Sequence, residues 1–378
     1  MNWYVDISAN WPVREPRQGV GVGMNHSKNW PLRTLLMLLF VAAVIQGEQT
    51  ARPDEESEAL LKYKELIDTS VDKALEYLAT QQAENGSFPG QYGQTTAVAA
   101  LAGMAFLSKG YTPGLGPFGE NINRSIDFVL SNEQVRDGKP SGYLLHSAQG
   151  KMYAHCISTL FLSEVSGMVD PQRQERIDDV LPRALSLILT AQQVPKDPRF
   201  KGGWRYEPQS RDADLSLTGW AIMALRSAKI NGAAIPNDAI SDAVEFVVRC
   251  QPPGAKGEKG FSYQPSQGGK PAMTGVGILC MALCGHYDDK MLPRAGDFML
   301  ANNLNQRWGG SHFFYGIYYC SQASFQLGGK YWDTWASGMY QNSLDHQQQS
   351  GSWGDPYKTA MTVLALTVSY RQLPVYQR

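Results

Sequence analysis

Two hydrophobic rhythms alternate along most of the chain. Segments such as 71–82 carry charge on one face, with Asp72, Lys73 and Glu76, and apolar residues on the other. That is the pattern of a helix lying against a core. Between them come segments such as 96–107, apolar round most of their circumference, as in a helix buried on all sides. No alternating strand pattern of useful length occurs. The pattern predicts an all-α chain built from pairs of helices, one half-exposed and one buried in each pair.

The pairs recur with a period of about 50 residues, the mark of a repeat architecture. The first copy reads Lys73-Ala-Leu-Glu-Tyr77-Leu-Ala-Thr-Gln-Gln82, then Gly86-Ser-Phe88: a helix, a glutamine and a Gly-x-aromatic turn. Degraded copies set Glu133 before Gly142-Tyr143, Gln192 before Gly202-Gly-Trp204, and Gln251 before Gly260-Phe261. The last two set Asn303 before Trp308-Gly309 and Gln348 before Gly351-Ser-Trp353. Insertions at 194–201 and 252–259 are rich in Pro, Gly and Lys and belong in surface loops. A second column, Thr96, Tyr153, Thr218, Thr274, Tyr315 and Thr359, opens the buried helices. Small residues follow at one fixed spacing: Ala102, Thr159, Ala224, Cys280, Ser321 and Ala365. Small side chains at one height let six helices approach a common centre. Six hairpins, each with an outer and an inner helix, predict a closed double ring.

The phrase from Lys73 to Phe88 resembles the glutamine–tryptophan repeat of squalene and oxidosqualene cyclases, with Phe88 in place of tryptophan. The resemblance extends to the protein prenyltransferase β-subunits, and it implies an (α/α)6 toroid with inner and outer helix rings over residues 58–378. Asp212-Ala213-Asp214-Leu215 resembles the Asp-x-Asp-Asp motif of squalene–hopene cyclases. By that resemblance Asp214 would be the catalytic acid that protonates a polyisoprenoid alkene, with Asp212 supporting it. Such an acid must be buried, neutral and oriented. Leu215 stands where the family has an aspartate, so one carboxylate of the cluster is missing. Against the prenyltransferase pattern, Asp212-Ala-Asp214 replaces Asp-x-Cys and Phe314-Tyr315-Gly316 replaces Phe-Tyr-His. Both the thiolate and the imidazole ligand are gone, and no metal is expected. The Gly-Cys-Gly-Glu-Gln run of thioester toroids does not occur.

The same residues also read without the resemblance. Tyr92, Gln149, Asp214, Lys270, Ser311 and Asp355 lie four positions before the Thr/Tyr column and would ring the mouth formed by the inner-helix N-termini. Asp355-Pro356 reads as an N-cap followed by a first helical residue, so Asp214 reads as a cap too. Tyr153, Trp220, Tyr315 and Tyr319 are candidate cavity residues whose ring faces would favour a cation, or else core. His155 and His312 are candidate cavity residues as partners for an aspartate, or else satisfied core histidines. Asp214 and Asp355 together would also suit a carbohydrate-active helical barrel. Two functions stand ahead of that one. The first is a toroid that binds a hydrophobic, isoprenoid-type ligand or a partner protein without turnover. The second is a terpenoid cyclase acting through Asp214.

Composition narrows the classes further. The chain is 43% hydrophobic and 18% charged with net charge −1, an ordinary globular balance with no footprint for nucleic acid. Cys156, Cys250, Cys280, Cys284 and Cys320 form an odd set, which argues against full disulfide pairing. Cys280 and Cys284 lie a helical turn apart and read as small hydrophobes; with His286 they make a metal alternative that lacks a fourth ligand. No cofactor is implied. Residues 35–45, LLMLLFVAAVI, follow Lys28 and Arg33 in the manner of an export signal. The run is shorter than the roughly 20 residues of a membrane span. Met24 stands where such a signal begins. The expected organisation is a start-site extension (1–23), a signal peptide or N-terminal anchor (24–47), a polar linker (48–57) and the toroid (58–378). The protein is thus expected to be exported to the cell envelope. Residues 34–46 would carry any membrane association, and the partner would be a hydrophobic small molecule or an envelope protein.

Overall fold

The computed structural model describes residues 58–90, 92–146, 150–286, 290–306 and 308–376. The extension, signal or anchor and linker expected over residues 1–57, and the mouth position Gln149, lie outside them. Among the described residues six outer helices alternate with six inner ones. The outer set is α1 (Glu58–Gln81), α3 (Gly119–Ser131), α5 (Pro171–Gln193), α7 (Asn237–Arg249), α9 (Met291–Ala301) and α11 (Gly329–His346). The inner set is α2 (Thr96–Ser108), α4 (Lys151–Val165), α6 (Leu215–Ile230), α8 (Pro271–Leu283), α10 (Phe313–Leu327) and α12 (Pro356–Leu366). Each inner helix packs on the next, and α12 returns to α2, so the inner ring closes. The described residues from Glu58 onward form an (α/α)6 toroid. None of the described helices is long and apolar enough to cross a membrane.

The repeat motif has a direct physical role. Gln192 at the end of α5 donates from Nε2 to the Gly202 carbonyl of its own turn (2.9 Å) and to the Ala239 carbonyl of the next outer helix (2.8 Å). Gln82 joins Gly86 and Asn121 in the same way. One side-chain amide therefore ties a turn to its neighbour and satisfies carbonyls a buried turn would leave bare. Gly202 adopts φ +83° and lies so close to α7 that a Cβ would fall 2.0 Å from the Asp242 carbonyl oxygen, so only glycine fits. The turn aromatic then enters the space between the rings. Trp204 is 1% exposed and donates from Nε1 to the Ile188 carbonyl. Its backbone N–H is taken by Thr218 Oγ1, which itself donates to the Asp214 carbonyl. Thr274 serves Phe261, and Thr359 serves Trp353, in the same manner. The Thr column therefore fastens each aromatic turn to the inner helix that follows, besides keeping the helices close.

Three details differ from the sequence reading. The segment after α3 is a two-stranded antiparallel hairpin, β1 (Glu133–Arg136) with β2 (Lys139–Leu144). Its strands are too short to produce a visible alternation, and Glu133 accepts from the Gly142 amide and Arg183 in place of a glutamine. In the sixth copy the bridging residue is Gln347, not Gln348; it reaches Gly351 and, across the seam, the Ser70 carbonyl of α1. In the fifth copy Asn303 does not bridge. Asn305 sits at that seam, accepting from Asn342 through its carbonyl.

The centre of the inner ring is filled. Trp220, Met223, Tyr318 and Tyr319 are each 2% exposed or less. Trp220 stacks on Tyr318 with ring centres 5.4 Å apart and meets Tyr319 edge-on. Among the described residues the notable clefts, of about 430 and 280 Å³, open on the outer ring beside Arg124 and beside Gln193. After α12 the chain makes short helical turns at Val368–Tyr370 and Pro374–Tyr376, and the last of these packs against α6.

Candidate functional site

Asp214 occupies the N-cap of α6, with extended backbone at φ −137° and ψ 155°. The strand-like approach is fixed on both sides: the Asp214 amide donates to the Trp204 carbonyl and the Leu215 amide to the Tyr263 carbonyl. The carboxylate is fully buried. Oδ1 accepts from the Leu217 amide (2.9 Å) and from the Ser216 hydroxyl (2.6 Å). Oδ2 makes no well-formed hydrogen bond; Arg205 Nε stands 3.6 Å away. Burial pushes the carboxyl above the usual aspartate range, opposed by Ser216, the Leu217 amide, Arg205 and Tyr263. Asp214 is therefore a cap on one oxygen, while the other faces Arg205 at ion-pair distance without a hydrogen bond.

Arg205 organises the rest of this corner. Its guanidinium also lies 3.6 Å from Asp212, which is partly exposed. The charge sits over Tyr206 at 4.5 Å and Tyr263 at 5.6 Å, and the two tyrosine hydroxyls bond each other. Arg205, Tyr206, Tyr263 and Ser216 were not singled out from the sequence. Arg205 was legible, because it follows a turn aromatic where the first, fourth and sixth copies have Pro89, Ser262 and Gly354. An arginine in that column belongs to no packing rule of the repeat.

The predicted aromatic residues converge on the same mouth. The Tyr153 hydroxyl pairs with Ser216, giving a chain Tyr153–Ser216–Asp214. Tyr315 donates to the Ser216 carbonyl at 3.1 Å, and its ring lies 4.7 Å from that of Tyr319. Tyr319 leads on to Trp220, with its hydroxyl buried and unpaired. Burial holds the Tyr153, Tyr315 and Tyr319 phenols well above the usual range, so all three stay neutral donors.

The two histidines lie elsewhere. His155 is buried on the outward side of α4, where Nδ1 accepts from the Leu144 amide and Nε2 meets the Ala184 carbonyl. Burial lowers it to about 4, so it is a neutral core histidine rather than a partner for Asp214. His312 is exposed at the N-cap of α10 with φ 58°. Asp355 caps α12 through the Lys358 amide, as its sequence context implied, and its Oδ2 lies 3.5 Å from Lys358 Nζ. Cys156, Cys250, Cys280 and Cys320 are buried thiols, and Cys284 is partly so. Among the described residues no three His, Cys, Asp or Glu side chains converge as metal ligands.

No family model matches this chain, and no curated protein does. Solved structures do. The type II terpene cyclase MstE from Scytonema, in its apo form, aligns over 81% of this chain and 99% of its own, with a TM-score of 0.53 and 13% identity. A variant of MstE in complex with geranylgeranyl dihydroxybenzoate aligns over 82% and 98%, with a TM-score of 0.50 and 14% identity. An inactive variant of an α-1,6-mannanase from a Salegentibacter species, in complex with α-1,6-mannotriose, aligns over 80% and 99%, with a TM-score of 0.57 and 9% identity. At such identities the likeness establishes the fold, and that fold serves both an isoprenoid cyclase and a glycosidase.

Proposed function

We propose that this toroid binds an apolar, isoprenoid-type small molecule at the mouth of its inner ring, against the packed aromatic column, and does so without turnover. The observation that carries this reading is the axial column itself. Tyr153, Ser216 and Tyr315 form its mouth, and Tyr319, Trp220 and Tyr318 continue inward. Ring faces and a few neutral hydroxyls suit a long hydrocarbon with one polar end. The fold neighbour that holds geranylgeranyl dihydroxybenzoate supports this ligand class. Turnover is disfavoured by Asp214 itself: it is fully buried, half committed as a cap, and followed by Leu215 in place of a further carboxylate. The export-type pattern of residues 24–47 supports a location in the cell envelope for this activity.

A second reading rests on one observation, the full burial of Asp214 with Oδ2 lacking a hydrogen bond, and burial pushes that carboxyl above the usual aspartate range. Under it, Oδ2 would donate to a ligand alkene. Titrating geranylgeraniol against Trp fluorescence, and analysing squalene and geranylgeraniol incubations by gas chromatography and mass spectrometry, separates the two. Saturable quenching with unchanged ligand recovered is the expected result. Cyclic products that vanish in Asp214→Asn would establish the cyclase instead. Absence of both quenching and products would remove the apolar-ligand reading.

A further inference from the structure

At the end of the ring opposite the mouth, inner helices end and outer helices begin. The exposed aliphatic side chains gather there. Leu61 (59% exposed) and Leu66 (56%) project from the first half of α1. Leu115 (68%) stands in the link from α2 to α3, Met168 (39%) in the link from α4 to α5, and Ile230 (48%) closes α6. These are five of the eight exposed large apolar side chains among the described residues; Tyr92, Val135 and Tyr206 belong to the mouth end. Hairpins follow one another round the ring, so the five share one arc, α1 and the first three links. A lone exposed leucine needs no explanation, whereas apolar side chains gathered on one face mark a docking surface. Leu115 is also held in place, not left to swing. The Gly114 amide donates to the Gly119 carbonyl and the Leu115 amide to the Thr112 carbonyl, so its loop presents it to solvent.

The charges of the arc suit a lipid surface. Lys62 and Lys64 lie between Leu61 and Leu66, and Lys229 precedes Ile230. Lys62 rests on the Tyr63 ring and Lys229 reaches Asn237, so neither is spent on a carboxylate. The acids nearby are largely engaged: Asp68 pairs with Lys109, and Asp170 with Arg173. Glu65 lies between the two leucines and weakens this balance without reversing it. Lysine stems cover apolar surface while their heads reach headgroup phosphates. The chain itself indicates what covers the arc. The apolar run 35–45 precedes α1 in sequence, and residues 46–57 join it to Glu58. That joint spans at most roughly 45 Å when fully extended. A bilayer that takes up the apolar run therefore lies within reach of this end of the ring.

We propose that the arc of Leu61, Leu66, Leu115, Met168 and Ile230 is a membrane-docking face, by which the ring rests on an anionic lipid surface. The aliphatic side chains enter the boundary between headgroups and acyl chains, and Lys62, Lys64 and Lys229 meet the phosphates. The mouth then opens away from the lipid. This contact is separate from any insertion of residues 35–45, and it stands whether or not the mouth binds an isoprenoid.

Hydrogen exchange of the full chain, with and without vesicles of phosphatidylethanolamine and phosphatidylglycerol, tests this. Vesicles should slow exchange about tenfold at 61–66, 114–116, 166–168 and 229–231, the factor expected for burying a leucine or two. Residues 205–212 and 263–270, at the mouth, should exchange as they do in solution. Leu115→Ser combined with Ile230→Ser changes only exposed side chains, so the ring should fold, and the slowing at 61–66 should be lost as well. Val135→Ser, an exposed apolar residue at the mouth end, should leave the slowing intact. Vesicles that carry the protein without slowing exchange anywhere on the arc would overturn the proposal and leave residues 35–45 as the whole contact. Slowing at the mouth in place of the arc would overturn it too, as would a failure to bind vesicles at all. Slowing at the arc that rises with protein concentration in the absence of vesicles would assign the face to a second copy of the chain instead.

Discussion

At the residue scale the polar atoms buried near the axis set the sharpest expectations. Glu164 is raised from 4.5 to about 7, chiefly by burial, with Ser227 and the Val375 amide pulling the other way. The titratable groups beside it are Tyr318 of α10 and Tyr376, both held neutral by burial, and Arg226 of α6 grips the same tail segment. A carboxyl raised in the folded state contributes its full share of stability below its unfolded value and loses it as pH rises through the folded value. The window here runs from about pH 4.5 to 7, and the loss is about 3 kcal/mol at roughly 1.4 kcal/mol per unit. Glu164→Gln should flatten stability across that window, measured by urea unfolding at pH 5 and pH 8. A variant as pH-dependent as the parent would show that other groups carry the effect. Thr218→Val keeps the shape of the side chain but strips the acceptor from the buried Trp204 amide. It should cost about 1–3 kcal/mol in the same assay.

At the element scale the motif glycines and glutamines join one hairpin to the next. Gly202→Ala meets both a left-handed backbone and the Asp242 carbonyl, whereas Gly232→Ala meets only φ +94° with nothing within 4 Å. The second should cost about 1–2 kcal/mol, and the first several kcal/mol more or a failure to fold. Equal melting temperatures would mean that the contact with α7 is not tight in solution. Much of this was legible in the sequence, because a glutamine before a Gly-x-aromatic turn is a periodic signal and each copy reinforces the others. What escaped did so for physical reasons. Asn305 performs a seam contact from a different offset, Gln347 and Gln348 are adjacent and chemically identical, and β1–β2 is too short for periodicity to register. At the site, the cap role of Asp214 followed from Asp355-Pro356, and the aromatic mouth followed from the Thr/Tyr column. Arg205 left a signal in the column after the turn aromatic, whereas Tyr206 and Tyr263 did not, since they approach from loops whose path no local rule dictates. His155 could not be aimed from sequence either, as inward and outward faces of an inner helix are both apolar.

At the scale of the molecule, closure distinguishes this ring from an open stack of repeats. In an open stack each unit touches only its neighbours and the terminal units need polar caps. Here α12 packs on α2, α11 packs on α1, and Gln347 reaches Ser70. Gln347→Ala should therefore loosen both ends of the chain together. Hydrogen exchange in α1 and α11 is expected to rise in step while α5 and α7 hold their protection. Faster exchange in α11 alone would mean that the seam is carried by packing and not by that amide.

Because the seam is closed by the same glutamine bridge that joins the first and third hairpins to their neighbours, the ends of the ring segment, Glu58 and Tyr376, amount to a nick in a circle. The nick can be moved. Linking Tyr376 to Glu58 by a flexible spacer and opening the chain within 252–259, a loop already exposed around Gly254, would yield a protein with the same ring and a different first residue. Such a permutant would fold with its fourth hairpin split between its ends, and its spacer would lead from the turn that packs against α6.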